Sequence, residues 1–107
     1  METSALLVVT TLATAAEART LVRDLVDQRL VACGTLLPGA TSIYRWRGAV
    51  TEEAEVVVLL KTDAARWEAL AAAVRERHPY EVPELLAVPV GRGLEGYLQW
   101  LRSEVIG

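Results

Sequence analysis

Apolar positions along this chain switch between two periods, and the switches mark its elements. Ala5-Leu6-Leu7-Val8-Val9-Thr10-Thr11 is a short apolar run rich in β-branched residues and bounded by polar ones. That pattern predicts a strand buried on both faces. Thr14-Ala15-Ala16-Glu17 fits a capping box, so a helix follows, with Ala18, Leu21, Val22, Leu25 and Val26 at helical spacing and an end near Leu30. Cys33 to Leu37 reads as a second strand, broken at Pro38-Gly39 and resumed by Thr41-Ser42-Ile43-Tyr44-Arg45-Trp46. Arg47-Gly48 is a turn signal, after which Val50 to Lys61 reads as a long third strand. The outer half of this hairpin, Tyr44 to Glu55, is polar and exposes Tyr44 and Trp46.

Asp63 is a good N-cap for the next helix, whose apolar stripe is Trp67, Leu70, Ala71 and Val74. Pro79 stops it, because the residue before a proline avoids the α region. Leu85 to Val90 is a fourth strand, and Pro89, which has no N–H to donate, places its end at a sheet edge. Leu94, Tyr97, Leu98, Leu101 and Val105 stripe a last helix. The order is β-α-β-β-α-β plus a terminal helix. Right-handed crossovers turn it into an α+β, ferredoxin-like sandwich with two helices on one face of an antiparallel sheet. The other face is left bare, yet Val56 to Leu60 is not patterned for water. A second copy of the chain is the simplest cover.

Composition narrows the class. At 107 residues with 52 % hydrophobic content, residues 1–107 read as one ordered domain with a core of its own. A net charge of −3 and scattered arginines argue against nucleic-acid partners and against membrane-surface binding. No run approaches the roughly 20 apolar residues that span a bilayer, and the N-terminus lacks the basic region and cleavage site of a signal peptide. A cytoplasmic protein is expected. Cys33 is the only cysteine, so no intrachain disulfide forms, and its apolar setting suits a buried small hydrophobe rather than a metal or redox group.

The chemistry concentrates in Arg77-His78-Pro79-Tyr80-Glu81-Val82-Pro83-Glu84, which holds the single histidine and two of the four prolines. Prolines four apart make a stiff, non-helical strip that fixes its side-chain directions. One histidine, one apolar cysteine and scattered carboxylates give no nucleophile–base pair at readable spacing, so an enzyme is not expected. Gly91-x-Gly93 is too short and misplaced for a dinucleotide loop.

Leu30-Val31-Ala32-Cys33, then Pro38-Gly39-Ala40-Thr41-Ser42-Ile43-Tyr44-Arg45-Trp46-Arg47-Gly48, Glu55, Lys61-Thr62, the His78 to Glu84 strip and Tyr97-Leu98-Gln99-Trp100 resemble the CutA divalent-cation tolerance proteins. The resemblance runs in order over essentially the whole chain. It implies a tight homotrimer, similar in architecture to the PII signalling proteins, with long hairpins reaching neighbouring subunits. It also implies a cytoplasmic, non-enzymatic role in tolerance to copper and other divalent cations, with no required cofactor. In some bacterial relatives copper binding is attributed to a first-strand cysteine and to paired histidines before the Pro-Tyr. Those positions are Thr10 and Arg77-His78 here, so His78 alone of that set remains.

Two readings of the strip follow. In one, His78 ligates a divalent ion such as Cu2+ with help from Glu81 or Glu84, although a single imidazole is a weak anchor and Arg77 repels a cation. In the other, His78 caps the helix end or bonds within a subunit cleft. Tyr44, Trp46, Tyr80 and Trp100 are expected at trimer contacts, Trp100 because it falls off the apolar stripe of its helix at about 100° per residue. Lys61 is expected to pair with Glu81 or Glu84, or to hold a small anion in a PII-like cleft that serves a sensor or scaffold.

Overall fold

The computed structural model describes residues 3–106. Its elements are β1 (Ala5–Leu12), α1 (Ala15–Asp27), β2 (Cys33–Trp46), β3 (Ala49–Asp63), a 3-10 turn at Ala64–Arg66, α2 (Trp67–Arg77), β4 (Leu86–Pro89) and α3 (Glu95–Val105). The four strands form one antiparallel sheet in the order β2-β3-β1-β4, the ferredoxin-like arrangement. Both outer strands carry a proline, Pro89 of β4 opposite Leu6 and Pro38 of β2 between ladder pairs, which an edge tolerates because one side of the backbone needs no partner.

Alternation along the strands sorts side chains onto two faces. Val8, Thr10 and Leu12 of β1 and Val56, Val58, Leu60 and Thr62 of β3 point toward α1 and α2 and are buried. With Leu21, Leu25, Leu70 and Val74 they make the main core. Gly34 is where β2 meets α1 most closely: a Cβ there would lie 2.7 Å from Val22 Cγ1. Buried Thr62 satisfies its hydroxyl by donating to the Leu30 carbonyl at 2.7 Å, whereas the Thr10 hydroxyl, also fully buried, has no partner. An unpaired buried hydroxyl of this kind costs on the order of 1–3 kcal/mol.

On the opposite face α3 covers one end only, where Leu98, Leu101 and Val105 pack against Ala5 and Ala32. The register places Leu7 beside Val88, Val9 between Leu59 and Leu86, and Leu37 beside Val57, so an apolar floor continues past α3. Leu37, Leu86 and Val88 on it remain 48 %, 60 % and 51 % exposed. Beyond the Leu12–Val56 pair, β2 and β3 run on as a two-stranded ribbon to the Arg47-Gly48 turn, where both residues have positive φ (49° and 82°). That is the backbone of the tight hairpin turn whose twist suits the strands.

Several expected boundaries shift for local reasons. The first helix ends at Asp27 rather than near Leu30, because Arg29 adopts a left-handed φ of 57°. The Leu30 N–H then folds back to the Leu25 carbonyl and the Arg29 N–H to Val26, a Schellman closure that buries Leu30. Pro38-Gly39 does not break β2. It forms a bulge, with Leu37 opposite Val57 and Ala40 opposite Glu55, and Gly39 supplies a φ of 84°. Asp63 caps the 3-10 turn by accepting from the Ala65 N–H at 2.9 Å, and the regular helix begins four residues later. In α3 the stripe narrows to Leu98, Leu101 and Val105, since Leu94 is 84 % exposed and Tyr97 half exposed at the unoccupied sheet face. Among the described residues no helix is long and apolar enough to cross a membrane.

Candidate functional site

The strip after α2 is anchored by its histidine. His78 follows the last helical residue and takes an extended conformation (φ −71°, ψ 133°), as Pro79 requires, while its N–H still bonds the Val74 carbonyl. The ring is buried. Nδ1 accepts from the Tyr80 backbone N–H at 3.1 Å, so Nε2 carries the proton and donates to the Thr11 carbonyl at 2.8 Å. The imidazole thereby ties the strip to β1. The Tyr80 ring meets it edge-on at 4.7 Å and extends its hydroxyl to Glu55 on β3, donating at 2.6 Å. One continuous chain of hydrogen bonds thus runs from β1 through His78 and Tyr80 to β3.

This bracket forms one wall of a cleft of about 590 Å3 on the open sheet face. The hairpin ribbon supplies the other wall. Ser42 lies opposite Glu53 and Tyr44 opposite Thr51, so alternate residues of both strands, together with Trp46 and Glu55, present one face to the cleft. Glu81, Val82 and Glu84 line it from the proline strip, and Thr11 from β1. At the mouth, Arg47 donates to Glu81 at 3.1 Å and holds its guanidinium 5.4 Å from the centre of the Trp46 ring.

The electrostatics follow from the lining, which contains four glutamates and no lysine or arginine. Partial desolvation and then the Glu53 carboxylate push the Tyr44 hydroxyl above its ordinary value. Burial and the Glu55 carboxylate push Tyr80 higher still, so both stay protonated donors. Burial alone would raise Glu55, but the neighbouring hydroxyls of Ser42, Tyr80 and Thr11 outweigh it and hold the carboxyl below its ordinary 4.5. A depressed folded value means that Glu55 stabilises the fold above pH 4.5 and that this contribution is lost as pH falls through the lower folded value. Melting curves between about pH 6 and about pH 3 are expected to show a shallower loss for Glu55→Gln than for the parent chain. Parallel losses would mean that Glu55 gains nothing from those hydroxyls.

The structure brings together Tyr44, Trp46, Tyr80, Glu81 and Glu84, and it separates two residues from them. Within the protomer Lys61 does not pair with Glu81 or Glu84. It lies six residues along β3 from Glu55, about 20 Å at strand rise, and its ammonium donates to Thr35 Oγ1 at 2.7 Å. Trp100 packs on Tyr97 at 5.5 Å on α3, near Cys33, whose sulfur is 3.6 Å from the Tyr97 hydroxyl. Burial and then Cys33 push that hydroxyl up to about 12. Ser42, Glu53 and Thr11 were not singled out from the sequence. The two-residue turn at Arg47-Gly48 sets Ser42 across from Glu53, so the hairpin register contained that signal.

The residues present do not fit a preformed copper centre. Both His78 nitrogens are engaged within the fold, and Thr10 faces the helices rather than the cleft. Arg77 turns back toward its own helix, reaching the Ala73 carbonyl at 3.5 Å. Among the described residues no three His, Cys, Asp or Glu side chains converge as metal ligands do.

Known proteins are similar to this chain in sequence and fold. The family model described as CutA1 divalent ion tolerance protein matches residues 6–104. A curated relative from Thermus thermophilus, named divalent-cation tolerance protein CutA, is 46 % identical over 86 residues, covering 80 % of this chain and 84 % of its own. A solved structure of the divalent cation tolerance protein from the same organism superposes with a TM-score of 0.92 at 42 % identity, covering 94 % and 98 % of the two chains. That of CutA from Synechococcus elongatus superposes with a TM-score of 0.94 at 35 % identity, covering 98 % and 94 %. Sequence, fold and hairpin-and-strip signature agree, and the chain belongs to the CutA1 family of divalent ion tolerance proteins.

Proposed function

We propose that this chain serves divalent-cation tolerance without catalysis, as a cytoplasmic binding protein assembled from three copies of itself in a PII-like arrangement. The observation that carries the reading is the apolar floor of Leu7, Val9, Leu37, Leu59, Leu86 and Val88, which α3 leaves open. Exposed apolar surface that is continuous across four strands marks an interface. The projecting ribbon of β2 and β3 adds to this, because two strands alone are marginally stable in water. The stoichiometry of three comes from the family resemblance, and the unpaired Cys33 suits a reducing compartment.

Light scattering is expected to give about 35 kDa, three times the 11.7 kDa chain. A mass of 11.7 kDa overturns the assembly. In this reading Cu2+ meets surface carboxylates weakly and bypasses the imidazole. Equilibrium dialysis against Cu2+ is expected to give the same isotherm for His78→Ala and the parent chain, and a clear loss in the variant would restore His78 as a ligand.

The formed cleft favours a second reading, a sensor or scaffold that holds a small ligand or a partner loop there. The acidic lining makes a small anion an unsuitable occupant of this part of the protomer.

A further inference from the structure

We propose that His78 is a proton-operated latch, in which uptake of a proton at Nδ1 releases the proline strip from Tyr80 onward. The device goes beyond the assembly reading and is made of bonds inside one protomer. Its ring is buried by its own chain at 6 % exposure, so it needs no open surface.

Three observations converge. First, the two ring nitrogens hold opposite roles. Nε2 donates to the Thr11 carbonyl at 2.8 Å while Nδ1 accepts from the Tyr80 N–H at 3.1 Å. Only one tautomer of the neutral imidazole can do both. An added proton leaves the Thr11 bond in place and sets Nδ1–H against the Tyr80 N–H, donor facing donor. Turning the ring over offers no remedy, because both nitrogens of an imidazolium are donors.

Second, the strip depends on that amide. Pro79 and Pro83 have no N–H of their own. Among the described residues, Tyr80 to Glu84 are otherwise tied to the chain by the Tyr80 hydroxyl on Glu55 and by the Arg47–Glu81 pair. That pair is 73 % and 70 % exposed and holds little. The amide bond fixes the backbone that aims the Tyr80 ring, so its loss also loosens the hydroxyl from Glu55.

Third, the surroundings accept the charge. From β3, the Glu55 carboxylate acts on the imidazole through space. From α1, Glu17 and Asp24 share a groove with Arg77 and Pro79, the residues on either side of His78. From α2, the Arg77 guanidinium turns away to the Ala73 carbonyl. Strand β1 offers the Thr11 carbonyl, and the strip offers Tyr80, whose hydroxyl stays protonated. Three carboxylates against one guanidinium compensate an imidazolium at this corner. An imidazole changes charge between about pH 5 and pH 8, so the latch works in the physiological range.

His78 is the only histidine, so its ring gives unambiguous nitrogen signals in nuclear magnetic resonance. On the assembled protein the ring is expected to be the Nε2–H tautomer at about pH 8 and imidazolium at about pH 5. Across the same midpoint the Tyr80 amide is expected to lose its hydrogen-bonded shift. Its protection from exchange, corrected for the intrinsic rate, is expected to fall about five- to ten-fold. His78→Gln keeps an acceptor and a donor on a side chain that does not titrate, and removes the step. Glu55→Gln removes the other acid of the bracket, and the step is expected to remain. Circular dichroism checks the fold of each variant, and the parent titration decides alone where a variant fails to fold. These readouts are local and hold whatever the mass of the particle. The latch is overturned if the ring ionises while the Tyr80 amide stays unchanged, or if the ring keeps one charge across that range. It is also overturned if the step survives in folded His78→Gln, or vanishes in folded Glu55→Gln.

Discussion

Placing glutamates at Leu86 and Val88 together is expected to reduce the particle to 11.7 kDa while leaving the fold of each chain intact. Both side chains stand on the open face of an edge strand and are more than half exposed in the single chain, so a charge there meets water in the monomer. In the proposed assembly the same positions are covered. Burying each apolar side chain is worth about 1.5–3 kcal/mol, and burying an unpaired carboxylate costs more than that. Repeated at each symmetric contact, the change exceeds what an interface of ordinary size holds in reserve. Light scattering reads the mass and circular dichroism the fold. A parent-sized particle from the double variant would show that this face is not the one that assembles.

Leu60→Ala acts on the other face and should be the most damaging single truncation. Leu60 is fully buried on β3 between Val8 of β1 and Gly34 of β2, and its Cδ2 fills the space that a side chain at Gly34 would otherwise take. With backbone on both sides in a paired sheet, little can collapse into the vacancy. Truncating such a leucine costs about 2–5 kcal/mol, or roughly 10–30 °C in melting temperature for a domain of this length. The comparison is made at fixed protein concentration, because assembly makes melting concentration-dependent. Arg19→Ala, at an exposed position on α1, is the control expected to change little. If Leu60→Ala melts like that control, the helix-facing core is not where the stability lies.

The element order and the bare sheet face were legible in the sequence because both rest on periodicity. Runs of β-branched residues and the stripe at Leu70 and Val74 follow from burial alone. What was less legible depended on single backbone conformations. Arg29 is not a residue whose identity announces a left-handed turn, so the early helix end was hidden. Pro38-Gly39 reads equally as a break or as a bulge, and only its edge position in the sheet decides. The cleft lay between these extremes. Tyr44, Trp46, Tyr80, Glu81 and Glu84 stood out by type, and Ser42 and Glu53 are fixed by the turn. The Tyr80–Glu55 bond joins residues 25 apart, and His78 reaches Thr11 across 67. No local pattern encodes those partners. Within one protomer Lys61 stands apart from Glu81 and Glu84 for a geometric reason: it shares a strand face with Glu55 but sits three pleats away.

The left-handed conformation of Arg47 couples two properties that engineers usually treat separately. Asparagine is the residue best suited to the first position of a two-residue hairpin turn of this kind, and arginine adopts a φ of 49° at some expense. Replacing it to relieve that expense would also remove the guanidinium from Trp46 and Glu81. A thermostabilised version of this hairpin would therefore also be a version in which the ribbon tip is no longer tied to the proline strip.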